Sequence, residues 1–179
     1  NEQLNPNDDY LVVQYGYTYI NEEGTQVMRT VLPQNAPTLL PYVLTHVPGP
    51  CHTLCVSRML IEGSGYFDET LKSLEDWDYW IRVSKAGAQL KIIPKPLVYY
   101  RYVNNSMSRK AFVMFDSYKT VSKRAIKKDE RITINASTNI DYYLPLEKTT
   151  QKFLMRILGV SIMQGKVAEA LTFFYDESP

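Results

Sequence analysis

The chain has 179 residues, which suits one domain or one domain with a small appendage. Hydrophobic residues make up 45%, enough for a real core, and the formal charge of +1 excludes a strong global field for nucleic acid. No apolar run is long enough to span a membrane and no secretory signal is visible, so the expected setting is cytoplasmic.

In chain order, residues 10–20 read as a strand rich in Tyr and Val. Asn21-Glu22-Glu23-Gly24 supplies a turn, and residues 25–31 pair back on the first strand. Residues 33–50 hold five prolines and cannot form one regular element, although a short helix at 38–44 is possible. Pro48-Gly49-Pro50 is a rigid turn into residues 51–57, expected as a buried strand. Residues 58–62 form a short helix that stops at Gly63-Ser64-Gly65. Cys51 and Cys55 are the only cysteines. With His52 and His46 nearby they superficially resemble a zinc site, but no paired C-x-x-C and no second ligand cluster are present. Small buried thiols are the expected reading.

Residues 65–80 gather acids and aromatic rings, including both Trp residues. The second half predicts a helix over 75–86, since no Pro or Gly interrupts it and Gly87 follows. Ser73 with Asp76 three residues later makes a capping-box pattern, and Glu75, Asp76 and Asp78 lie where the helix dipole favours negative charge. Trp77, Trp80 and Ile81 share one face and Tyr79, Val83 and Ala86 another, so the helix is expected to be buried on most sides. Two readings of Asp76 follow. It closes its own cap, or it points into a cleft as a general base whose pKa is raised by the rings beside it.

Beyond that helix, residues 89–93 and 97–102 are expected as two strands joined by a stiff Pro94-Lys95-Pro96 turn, with a polar loop at 104–108. Residues 110–128 predict a helix with Met114, Tyr118, Val121 and Ala125 on one stripe and Lys119, Lys123 and Lys127 on another. The basic stripe is either a solvated face or a contact with anionic lipid at the inner face of the membrane. Residues 129–141 are polar, with a short strand possible at 132–134. Helices at 146–158 and 166–175 close the chain as a hairpin that needs something to dock on. Tyr is frequent, at 14, which favours amphipathic walls around a polar ligand such as a sugar.

Four motifs in this order resemble the second half of a family 2 glycosyltransferase with the GT-A fold. They are Gly65-Tyr66-Phe67-Asp68-Glu69, Glu75-Asp76-Trp77-Asp78-Tyr79-Trp80, Pro94 through Arg101, and Ser106-Met107-Ser108. The resemblance runs from about Asp9 to about Arg109. It implies an α/β fold, a partial GT-A-like mixed sheet with flanking helices, over 1–109, and a helical extension over 110–179. It implies an inverting, nucleotide-sugar-dependent transfer to a glycan or lipid-linked acceptor, for polysaccharide biosynthesis, with Asp76 as catalytic base. Glu75 and Trp77 would position that base and line the pocket, and His52 would bond a sugar hydroxyl. Arg101 would contact a phosphate or, alternatively, pair with Asp76 or Asp78.

The resemblance has gaps. Many relatives carry a metal-binding His near the position of Val103, and Val binds no metal. No nucleotide-binding half and no Asp-x-Asp motif is visible, and Asn7-Asp8-Asp9 precedes a strand instead of following one. With Asn1 in place of Met, the chain is expected to be a piece of a longer parent. That parent would use Mg or Mn, with no metal held by this chain alone. The alternative is a non-catalytic module whose aromatic groove binds a glycan or a protein.

Overall fold

The computed structural model describes residues 9–34, 38–103 and 106–177. Asn7 and Asp8 of the acidic patch, Pro37, and Asn104-Asn105 of the polar loop lie outside the described residues.

The sheet is built around β1 (Leu11–Ile20), whose side chains alternate. Val12, Gln14, Gly16 and Thr18 are buried on one face, while Val13, Tyr15, Tyr17 and Tyr19 are half-buried on the other. β2 (Val27–Val31) pairs antiparallel with the second half of β1, after a turn in which the Asn21 carboxamide oxygen accepts the amides of Thr25 and Gln26. β3 (Leu54–Val56) pairs antiparallel with the first half. β4 (Gln89–Arg101) runs parallel to β1 along its whole length. The sheet is therefore mixed and the class is α/β, as the sequence predicts.

Three local expectations need correction. Pro94-Lys95-Pro96 does not separate two strands: β4 continues through it, with register shifts on either side of Gly16. Proline, which cannot donate to a ladder, is tolerated at such irregularities and at a sheet edge. A Cβ on Gly16 would lie 2.6 Å from the Val31 carbonyl oxygen, so only glycine lets β2 come this close. Residues 51–57 are not one buried strand: Cys51–Thr53 form a 3-10 turn before the three-residue β3, and both cysteines are exposed. Residues 132–134 form no strand.

The helices are α1 (Arg58–Ser64), α2 (Glu75–Lys85), α3 (Ala111–Ala125), α4 (Leu146–Met163) and α5 (Val167–Glu177). α2 is the centre of the main core, and every residue from Trp77 to Lys85 is buried. Around it pack Val12, Val43, Leu44, Leu60, Tyr118 and Val121, so α3 belongs to the same core as the sheet. A second cluster joins Phe115 of α3 to Leu154, Ile157 and Leu158 of α4 and to Ala170 and Phe173 of α5. The terminal hairpin thus docks on α3, using the faces that its helical spacing supplies. No helix among the described residues is long and apolar enough to cross a membrane. Of the basic stripe on α3, Lys119 pairs with Asp116 at 3.4 Å, and Lys127, just past the helix end, pairs with Asp141 at 3.3 Å.

Candidate functional site: the amino end of α2

The turn before α2 has an unusual backbone. Leu74 has φ 58° and ψ 21°, the only positive φ of a non-glycine residue among the described residues. A left-handed leucine costs about 1–2 kcal/mol, and such strain persists only where surrounding packing enforces it. Here Leu74 is itself buried in the core. The expected capping box does not form, and no side chain caps α2. Ser73 turns away and donates its hydroxyl to the Val113 carbonyl at 3.2 Å. Asp76 Oδ1 instead accepts the amide of Trp77 at 2.7 Å.

Asp76 is half-buried and has no cationic partner among the described residues. Burial pushes its carboxyl up to about 6, the negative charge of Glu75 adds to this, and the backbone amides oppose it only in part. Cys51 lies beside these acids: partial burial, then Asp76 and Glu75, push its thiol up. Tyr79 completes the group, its phenol raised mainly by burial and also by the nearby Cys51. One turn beyond Asp76, the indole Nε1 of Trp80 is buried without any hydrogen-bond partner among the described residues. Buried donors are normally satisfied, so this N–H is an exception within the core.

Asp78 meets the opposite environment. It is 2% exposed and accepts from Arg82 at 3.1 Å and from both terminal nitrogens of Arg131, at 3.0 and 2.9 Å. Arg124 stands 3.5 Å away. Arg131 also grips Asp129, at 2.6 Å, and Arg124 grips Asp68, at 2.7 Å. The Asp68 carboxyl is lowered to about 2, first by the Thr70 hydroxyl and also by Arg124. Arg82 further donates to the carbonyls of Ser64 and Tyr66, which ties the Gly65-Tyr66 turn to α2. Lys85 donates to the Lys127 carbonyl, and burial pushes its ammonium down to about 8.

The remaining sequence-derived candidates lie as follows. Glu75 stands next to Asp76, also half-buried. Trp77 is 1% exposed, and its indole donates to the Val43 carbonyl at 2.7 Å, so it supports the helix from within the core. His52 is exposed and stacks on Tyr100 at 5.4 Å, at one end of an aromatic row with Tyr17 and Tyr19 on the open sheet face. Arg101 donates to the Glu22 carbonyl and covers Gly24, so it serves the β1–β2 turn instead of Asp76 or Asp78. Arg131, Leu74 and the orphaned Trp80 donor escaped the sequence reading. Arg131 lies 53 residues from Asp78 in an aperiodic loop, and no local pattern announces such a contact.

No family model matches the chain, and no solved structure matches it. The chain is similar to the acireductone dioxygenase of Ciona intestinalis, at 30% identity over 97 residues. The match covers 54% of this chain and 50% of that protein, so the chain spans about half the length of the relative it matches. This corrects the expectation drawn from the four motifs. The similarity is to a dioxygenase, an enzyme of another class, and nothing supports a glycosyltransferase, polysaccharide synthesis or the glycan- or protein-binding module. The GT-A likeness is not confirmed. Several motif residues have structural employment that explains their pattern: Trp77 and Trp80 fill the core, and Asp78 anchors Arg82 and Arg131.

A dioxygenase raises the question of a metal. No group of three or more His, Cys, Asp or Glu among the described residues is placed to hold one. His46 stacks on Tyr42 and His52 on Tyr100, away from each other's partners. The donor set of the described residues does not fit a metal centre.

Proposed function

We propose that the chain contributes an acid–base site of an enzyme, in which Asp76 takes a proton from a small substrate and returns it. The observation that carries this reading is a half-buried carboxyl, raised to about 6, with no cation among the described residues to neutralise it. Such a group is a stronger base than an ordinary aspartate and changes charge near neutral pH, where general acid–base catalysis is most effective. Glu75 sustains the shift by its negative charge. The strained Leu74 turn holds the acid at the rim of the core instead of within a cap.

The similarity over 97 residues makes a reductone, the substrate class in the relative's name, the first to test. Its ene-diol hydroxyls are acidic enough for a base of this strength to ionise. The test follows the ultraviolet absorbance of an acireductone mixed with the chain across pH 5–8. Relative to the titration of the free ene-diol alone, wild type is expected to add a transition of the bound compound with a midpoint near 6, and Asp76→Asn to abolish that added transition. An identical profile in both proteins contradicts the role of Asp76. No change with wild type contradicts the substrate class.

A further inference from the structure

A cavity of about 150 Å³ lies at the junction of the terminal hairpin with α3, away from α2. At ~30 Å³ per water it has room for about five, enough for a tetrahedral oxyanion with a small substituent. One wall is residues 110–113, the amino end of the fifteen-residue α3. The first-turn amides of a helix have no carbonyl one turn back, and no side chain caps this end. The opposite wall is Ser161 of α4 with Lys166 and Glu169, where α5 begins. Two lysines, Lys110 and Lys166, thus face the same space as two helix amino ends, against a single carboxylate.

The second observation is Ser161. It is 5% exposed and lines the cavity, and its hydroxyl has no hydrogen-bond partner among the described residues. Four of the five other buried serines behave differently, Ser117 being the exception. Ser64, Ser84 and Ser122 each donate to a carbonyl three or four residues back, and Ser73 donates to Val113. Ser161 is held apart from that habit beside two ammonium groups and a row of open amides. From this arrangement we propose that the cavity binds a phosphate-class oxyanion, held by the α3 amides, the Ser161 hydroxyl, Lys110 and Lys166. Helix amino ends favour such anions through aligned N–H groups and the helix dipole. Occupancy would tie α5 to α3 across the cavity. Glu169 limits the net charge to +1 and so weakens the site.

The test is a titration of the full chain with inorganic phosphate at constant ionic strength, read from the amide shifts of residues 111–113, with glycerol phosphate as a second arm. Saturable shifts are expected. Lys166→Ala should weaken binding at least tenfold, Ser161→Ala severalfold, and Glu169→Gln should tighten it severalfold. Lys166 and Glu169 are exposed, so both variants keep the fold. Tighter binding of the ester assigns a monoester as ligand, and equal binding assigns the free anion. Shifts that never saturate in either arm, or an affinity indifferent to Lys166→Ala, overturn the proposal.

Discussion

Asp76 and Asp78 stand two residues apart in the first turn of one helix, and their surroundings are opposite. Asp78 is sealed in and held by arginines from two other parts of the chain, in addition to Arg82 of its own helix. Asp76 is half-buried, has only backbone amides for partners among the described residues, and is raised to about 6. The helix dipole acts on both, so it cannot account for the contrast. The contrast comes from where the cations are. A buried acid surrounded by guanidinium groups is committed to structure, whereas one left at the rim without a cation is free to exchange a proton.

The largest break in this comparison comes from removing the structural member. Asp78→Ala strands the buried Arg82 and unties Arg131, and should cost about 3–5 kcal/mol in urea denaturation. A loss below ~1 kcal/mol would mean that the arginines find other partners and that Asp78 is not the anchor. Next is the wall behind the site. Trp77→Phe keeps the ring but orphans the Val43 carbonyl, and should cost about 1–3 kcal/mol in the same measurement. Gly63→Ala tests the strap that carries Arg131, because a Cβ there would stand 1.8 Å from Ile134 Cδ1. Its expected cost is about 1–2 kcal/mol, with Arg131 loosened from Asp78 as judged by faster hydrogen exchange around Thr133, which is hydrogen-bonded to Gly63.

An effect of similar size has the opposite sign. The folded protein holds a proton on Asp76 up to about pH 6, while the unfolded chain releases it near 4. Between those values the folded state binds more protons, so this group's contribution to stability falls as pH rises, and the penalty is complete above about 6. Asp76→Asn removes the penalty and keeps an acceptor for the Trp77 amide. It should therefore stabilise the fold at pH 8 by about 1–2 kcal/mol, allowing for partial exposure, and do nothing at pH 4. Melting temperatures at the two pH values check this. An inactive variant that is also more stable at pH 8 would separate the functional acid from the structural one.

Much of this contrast was hidden in the sequence. The elements with clear local signals were legible: β1 by its Tyr and Val content, α2 and α3 by their apolar faces, and the closing hairpin by its two helical runs. The acid cluster at the start of α2 was legible as well. What its acids do was not, because a capping box and a strained turn are written with the same letters. Ser73 bonds to Val113, 40 residues away, and Arg131 reaches Asp78 from a loop with no pattern. Continuous pairing through Pro94 and Pro96 depends on Gly16 in another strand, which residues 89–102 cannot reveal. The glycosyltransferase likeness failed for a related reason: short motifs of acids and aromatic rings describe a well-packed helix as readily as a sugar site.

The most direct measurement is the side-chain carboxyl ¹³C titration of Asp76 in the intact chain. The account predicts a midpoint near pH 6 that moves downward when Glu75→Gln removes the neighbouring charge. A midpoint at or below 4 in the wild-type protein would contradict it, since Asp76 would then be an ordinary helix-end carboxylate with no proton to trade near neutrality.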